Sequence, residues 1–327
     1  DNVQEIEGVV VTGYQQIKNR VFTGAAASVK LDEIKLNGVS DVSRMLEGRI
    51  AGLSIQNVTG SFGAAPRINI RGGASIMGNV QPLWVIDGAV YEDLVSLTLD
   101  QLASGDAVTL ISSAVAGLNA SDIEDIQVLK DASATAIYGA QGANGVIIIT
   151  TKSGKEGKAK INVEAQYGIQ YLPRELEVAN FREFAYHSND IYDALGYGKS
   201  SLFADPSTLG KGTNWQRAIF RPASMHNYNF NMSGGSKGTT YKLSANYLTQ
   251  DGIASGSDFD RITLTAGLDS QVRKWLKIGG RATLSRTTQT VTIADWNLIN
   301  SAVRHKPKIP VTNLDGSYAA PEEQDND

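Results

Sequence analysis

The chain has 327 residues, 30 basic and 34 acidic side chains and a formal net charge of -4. That length supplies the core of two ordinary domains, and the lack of a basic tract argues against nucleic acid as a partner. There is no cysteine, which excludes disulfides and thiolate metal sites. His187, His226 and His305 stand far apart, with no carboxylate or histidine at metal-ligand spacing.

Residues 1 to about 155 read as mixed α/β. Strands are expected at Gly8–Thr12, Leu53–Gln56, Arg67–Arg71, Leu83–Ile86, Ile126–Leu129 and Val146–Thr151, and helices at Ser40–Arg49 and Asp131–Tyr138. In the first helix Val39, Val42, Met45, Leu46 and Ile50 share one face. Ser40 or Asp41 is its N-cap and Gly52 its stop. Asp87 and Gly88 read as a turn after a strand. The stretch "YGAQGANGVIIITTKSG", from Tyr138, carries glycines at 139, 142 and 145. A phosphate-cradling loop needs a strand, then glycines, then a helix. Here the helix comes first and the strand follows, and no Gly-Lys-Ser/Thr occurs. The glycines therefore read as a tight turn from helix into buried strand, and Lys130 and Asp131 as a solvated pair at a strand–helix junction.

After "TTKSGKEGKAK" the pattern becomes strict alternation. In "KINVEAQYGIQY" Ile161, Val163, Ala165, Tyr167, Ile169 and Tyr171 face one way and Asn162, Glu164, Gln166 and Gln170 the other. "NYNFNMS", "TYKLSANYLTQ", "RITLTAGLDS" and "WLKIGGRATLS" repeat the pattern. Their polar rows hold Asn227, Asn229, Asn231, Lys242, Ser244, Asn246, Arg261, Thr263, Thr265, Lys277, Arg281, Thr283 and Ser285. A soluble sandwich also alternates. Two features favour a membrane barrel: the polar face is rich in Asn, Gln, Ser and Thr, as a watery lumen would be, and tyrosines recur near strand ends on the apolar face. Long connections (about Leu172–Met225) also alternate with short ones ("GGSKGT", "QVRK"), the outer-membrane habit. No run of about 18 apolar residues is present, so no transmembrane helix is expected. Five strands cannot close a barrel. With its abrupt ends, "DNVQEIEG" and "PEEQDND", the chain is expected to be the N-terminal part of a longer protein.

Several stretches carry a resemblance. "LNASDIEDIQVLKDASATAIYGAQGANGVIIITTKSG" (Leu118–Gly154) is similar to the end of the plug domain of SusC-like (SusC/RagA family) TonB-dependent outer-membrane transporters of Bacteroidetes. "INIRGGASIMGNVQPLWVIDGAVY" (Ile68–Tyr91) resembles the same family's middle plug motif, and "EIEGVVVTGY" (Glu5–Tyr14) its TonB box. "TNWQRAIFRPASMHNYNFNMSGGS" resembles the entry to the second barrel strand. Against the family pattern, no signal peptide or N-terminal extension precedes the box, and the strands stop at about five of the roughly twenty-two in large plugged barrels. The insert Asp93–Gly117 reads as longer and more variable than its surroundings.

The resemblance implies an α+β plug domain followed by the first antiparallel strands of a transmembrane β-barrel. The expected division is 1–19 TonB box and linker, 20–155 plug, and 156–327 the N-terminal part of the barrel with long extracellular loops. The implied activity is TonB-powered import of an oligomeric nutrient, oligosaccharide or peptide, with the periplasmic domain of TonB and a SusD-like surface lipoprotein as partners, outer-membrane lipid around the wall, and pairing of two such complexes. No enzyme activity, catalytic residue, cofactor or metal is expected. Glu5, Ile6, Glu7, Gly8, Val9, Val10, Val11, Thr12 and Gly13 form the TonB box. On its own this β-prone segment reads equally as an edge strand; the resemblance favours a handle that adds as a strand to its partner. Arg67 and Arg71, flanking "RINIR", are expected to latch the plug to acids on the wall. Trp84 and Tyr91 are candidates to stack on cargo, although Trp84 sits in an apolar run that suits the core. Asn227, Asn229, Asn231 and Asn246 are candidate lumen-facing contacts for a polar cargo, and equally suit water. The rival reading is a surface β-rich binding protein such as an adhesin. An enzyme using the glycine loop and a signalling transducer are weaker alternatives.

Overall fold

The computed structural model describes residues 9–12, 15–18, 26–36, 39, 41–56, 66–70, 81–91, 115–199, 203–290 and 295–319. The chain forms two compact units. The first is Asp1–Gly168, Ser224–Asp251 and Asp258–Val291; the second is Ile169–Ala223, Gly252–Ser257 and Thr292–Asp327.

The first unit opens with β1 (Val9–Thr12) and β2 (Gln15–Lys18), an antiparallel hairpin in which Val10 pairs with Ile17 and Val11 with Gln16. β3 (Ala26–Lys30), α1 (Leu31–Ile34), α2 (Val42–Met45), β4 (Leu53–Gln56), β5 (Arg67–Ile70), β6 (Leu83–Ile86), β7 (Ala89–Tyr91), β8 (Ile123–Leu129), α3 (Ala132–Thr135) and β9 (Val146–Thr151) follow. β3-β8-β9-β6-β7 form one sheet, antiparallel except between β6 and β9. Both faces of this sheet are covered, which is why "LWVI" and "VIII" are continuous apolar runs rather than alternating ones. Trp84, Ile86, Ile147 and Ile149 pack on one side with Leu31, Val42, Met45 and Leu46 from α1 and α2. Leu83, Val85, Val146 and Ile148 pack on the other with Ala134 and Tyr138.

The expected helix over 40–49 is shorter. Asp41 caps α2 by accepting from Ser43 N at 2.8 Å, and the chain then turns through Gly48 and Gly52, both at positive φ. α3 is capped by Asp131, which accepts from Ala134 N at 2.8 Å, while the Lys130 ammonium donates to Ala51 O. The helix passes into a 3-10 segment, Ala136–Asn144, broken at Gly139 (φ 59°). Helix, glycines and strand thus follow in the order that disfavours a phosphate loop. At Gly145 (φ 96°) a Cβ would lie 2.7 Å from Ile70 Cδ1, so close packing requires the glycine. The expected turn at Asp87–Gly88 joins β6 to β7, with φ of 49° and 87°, the left-handed pair that suits a two-residue hairpin.

β10 (Gly157–Gln170), β11 (Ala223–Ser236), β12 (Thr239–Asp251), β13 (Asp258–Arg273) and β14 (Leu276–Thr290) form a second, wholly sequential sheet. Tyr228 pairs with Tyr247, and Leu264 with Leu284. Burial in this sheet is inverted. Leu264 and Leu284 are 49% and 71% exposed, whereas Thr263 and Thr265 are 2% and 4% exposed. Ile161, Val163, Leu243, Ile262 and Leu268 are also exposed, and Trp275 stands at the turn between β13 and β14. A sheet whose apolar row faces out and whose polar row is buried suits lipid, not water. Residues 152–156 carry the chain from β9 into β10. At Gly154 a Cβ would lie 2.5 Å from Tyr241 O, so this crossing lies directly on the β12 backbone.

The second unit contains α4 (Phe181–Ala194), α5 (Trp215–Ile219) and α6 (Asp295–Arg304). α4, inside the expected long loop, starts with a capping box: Asn180 Oδ1 accepts from Glu183 N and Glu183 Oε2 accepts from Asn180 N. Phe181 and Phe184 both meet Phe203 edge-on at 6.0 Å. Gln216 holds Leu176 through both backbone groups, at 2.9 and 2.8 Å. The Arg217 guanidinium donates to Glu175 at 2.9 Å and, with Asn214, holds that carboxyl below the usual glutamate range.

Candidate functional site: the contact between plug and wall

Three neighbouring strands each place a long cation in the polar row: Lys242 on β12 and Arg261 on β13, both buried, and Arg281 on β14, which is more exposed. Each meets the α+β part at a turn, where backbone carbonyls and carboxylates are free of the sheet ladder. The first turn is Val115–Gly117, followed by a 3-10 turn, Ala120–Asp122, whose first amides are capped by Asn119. Arg261 Nη1 donates to Ala116 O at 3.0 Å and to Leu118 O at 2.6 Å. Between them, Gly117 O accepts from Thr263 Oγ1 at 3.0 Å and from Ser285 Oγ at 2.9 Å. Three successive carbonyls are thus gripped by three wall residues. Gly117 permits this, since a Cβ there would lie 3.1 Å from Ser285 Oγ. Nη1 donates to both carbonyls while Nη2 of the same planar group donates to Asn246 Oδ1, a fixed fork that a lysine ammonium lacks.

Asp122 is the second grip. Lys242 Nζ lies 2.8 Å from Asp122 Oδ1 and forms an ion pair with it. Ser244 Oγ donates to Oδ2 at 2.8 Å, and Asn119 Nδ2 donates to the same oxygen at 3.3 Å. The two charged side chains are 5% and 7% exposed. Breaking such a pair on one side costs about 3–5 kcal/mol, because it strands a buried charge.

The third grip is Arg281. Its Nη1 lies 2.6 Å from Asp87 Oδ2 and also donates to Thr151 Oγ1. Asp87 is itself held by Thr151, whose N and Oγ1 donate to it at 2.9 Å each. On β10, Glu164 pairs with Lys35 at 3.0 Å. Next to the Asp87 turn is a cavity of about 320 Å³ bordered by Tyr91, Asn119, Thr265, Thr283 and Arg281.

Comparison with known proteins fits this arrangement. The family described as TonB-dependent Receptor Plug Domain matches residues 18–146. TonB-dependent receptor P3 of Formosa agariphila is 32% identical over 323 residues, covering 96% of this chain and 29% of the relative. TonB-dependent receptor SusC of Bacteroides thetaiotaomicron is 34% identical over 269 residues, covering 82% of this chain and 25% of the relative. The chain belongs to the SusC-like TonB-dependent receptors. It spans about a third or less of the length of these receptors and corresponds to their N-terminal part: the plug domain and the first antiparallel strands of the outer-membrane barrel. Among solved structures, the RagAB peptide importer in its open-open state superposes with a TM-score of 0.70 at 26% identity, covering 87% of this chain and 33% of that one. The closed-closed state gives 0.71 at 24% identity, covering 90% and 35%.

In this SusC-like chain the described latch has a polarity opposite to the expected one for Asp87 and Asp122: carboxylates sit on the plug and cations on the wall. Arg67 is exposed on β5 and forms no ion pair among the described residues; Arg71 lies outside the described residues. Trp84 is 5% exposed in the sheet core, the place its apolar run suits, and not a surface for cargo. Asn229 and Asn246 are corrected as cargo contacts. They are 2% and 3% exposed, and Asn246 Nδ2 donates to Asn227 Oδ1 at 2.7 Å and to Asn229 Oδ1 at 2.8 Å. Asn246 Oδ1 then accepts from Arg261 Nη2 at 3.2 Å. The asparagines orient the guanidinium instead of facing a cargo. Asn227 belongs to this cluster, Asn231 is partly exposed, and Tyr91 is exposed beside the cavity. Glu5, Ile6, Glu7, Gly8 and Gly13 lie outside the described residues, while Val9–Thr12 are β1. The expected insert Asp93–Gly117 is described only from Val115.

Proposed function

We propose that the whole protein of which this chain is the N-terminal part imports an oligomeric nutrient, peptide or oligosaccharide, across the outer membrane, drawing force from TonB and working with a SusD-like surface lipoprotein. The observation that carries this reading is a lipid-facing wall whose inner row holds a folded domain by its turns. A domain held in that way blocks the lumen, so transport requires it to shift. The outer membrane has no ATP, so force has to come through a partner. Val9–Thr12 support that role for Glu5–Gly13. They form one strand of a two-stranded hairpin, marginal by itself in water, and among the described residues their second edge pairs with no other strand, which leaves it for strand addition. The short turns between β11 and β12 and between β13 and β14 then face the periplasm. The RagAB neighbours, described as a peptide importer, support a peptide as one class of cargo.

Deleting Glu5–Gly13 from the full receptor tests the handle. Uptake is expected to be lost while the receptor stays inserted and heat-modifiable in detergent gels. Normal uptake after the deletion would sink the reading.

A further inference from the structure

The plug is not gripped evenly. Opposite β12–β14 the three cations described above hold the plug by its turns. Opposite the short-turn ends of β10, β11 and β12 there is a gap of about 540 Å³. Six lysines line it: Lys30, Lys35, Lys152, Lys155, Lys160 and Lys242. Three of them are neutralised, Lys35 by Glu164, Lys152 by Asp32 and Lys242 by Asp122. Lys30, Lys155 and Lys160 form no ion pair among the described residues, and Glu124 is the one lining carboxylate left to offset them. Asn162, Asn231 and Ser233 add neutral hydrogen-bonding groups to the same wall.

Unopposed like charges gathered around one concavity raise its potential and its occupancy by counter-ions. On the wall side the gap is bordered mainly by the polar row, through Lys160, Asn162, Glu164, Asn231, Ser233 and Lys242. We propose that this gap is a binding site for an anionic group, phosphate, sulfate or carboxylate, held by Lys30, Lys155 and Lys160. It lies at the end of the lumen where a cargo leaves. Resting on the import reading, the site favours the passage of oligomers that carry such groups and disfavours cationic ones. Plug lysines (Lys30, Lys155) and a wall lysine (Lys160) contribute together, so a bound anion also draws plug and wall closer.

The test uses the full receptor purified in detergent, titrated calorimetrically with inorganic pyrophosphate at low salt. Wild type is expected to bind, and the triple variant Lys30→Gln/Lys155→Gln/Lys160→Gln to bind at least about tenfold more weakly, as loss of charge-assisted contacts predicts. None of the three takes part in the grips on the plug, and heat-modifiable migration checks that the variant is folded. No binding by wild type, or equal binding by both proteins, overturns the proposal. A second arm titrates sulfated and unsulfated dextran of equal length. Loss of sulfated-dextran binding in the variant assigns the site to groups carried on an oligomer; pyrophosphate binding alone assigns it to a free small anion and overturns the cargo part. These readouts do not involve TonB, so they stand apart from the deletion of Glu5–Gly13.

Discussion

The two five-stranded sheets of this chain use similar residues in opposite ways. In β6, β8 and β9 of the first sheet the Ile, Val and Leu side chains are buried on both faces. In β12 and β13 of the second sheet Leu243, Ile262, Leu264 and Leu268 are exposed, while Lys242, Ser244, Asn246, Arg261, Thr263 and Thr265 are buried. Burial follows the surrounding solvent: water outside the first sheet, lipid outside the second. A polar inner row then becomes useful, because it can hold a neighbouring domain by hydrogen bonds that remain reversible.

The largest expected effect is on the buried grip. Lys242→Ala should weaken plug seating by about 3–5 kcal/mol, since it leaves Asp122 charged and unpaired. Planar-bilayer recordings of the full receptor should then show openings absent from wild type. The pair-removing Asp122→Asn/Lys242→Met variant should recover much of the closure. Equal leakage from both variants would show that the charge pair is not the grip.

Next is Leu264→Arg, on the outward row. It should cost about 2–4 kcal/mol of folding into lipid vesicles if the position lies near the bilayer midplane. A neutral result would mean that this sheet faces water and would break the contrast between the two sheets.

Asn246→Ala should cost about 1–3 kcal/mol by leaving Arg261 and the neighbouring amides short of a partner. That cost should largely disappear in an Arg261→Met background, which a double-mutant cycle in urea would read.

The smallest effect is in the second unit. The Arg217 hydrogen bond holds Glu175 below its ordinary value of 4.5. Its stabilisation is therefore full above that value and is lost as pH falls through the lower, folded-state value. Hydrogen exchange of the α5 amides should accelerate over that acid window in wild type and not in Glu175→Gln. The pair is solvent-exposed, so the change should be slight.

Much of this architecture was legible from periodicity. The alternating segments located all five wall strands because a strand buried on one face leaves a two-residue period. Leu53–Gln56, Leu83–Ile86 and Val146–Thr151 were legible from short apolar runs. β2, β3 and β7 were missed: "QQIK", "AASVK" and "AVY" are too short or too polar for a period to emerge. α4 was missed although its capping pair, Asn180 and Glu183, was in plain view. The sequence points to Arg67 and Arg71 as the latch because they flank the strand core "RINIR". The informative signal lay elsewhere, in the long cations Lys242, Arg261 and Arg281 within the polar rows of β12, β13 and β14. Their partners Asp87, Asp122 and the carbonyls of residues 116–118 are brought to them by tertiary packing, which no local pattern encodes.

The crossing at Gly154 sets a leash. Only residues 152–156 separate the end of β9 from the start of β10, and even drawn taut they reach about 20 Å. β10 has 14 residues, about 46 Å of strand at about 3.3 Å per residue. The end of β9 therefore cannot travel the length of the wall. Whatever opens the passage, this corner of the plug stays tied near the short-turn rim, and the route for cargo has to form around it.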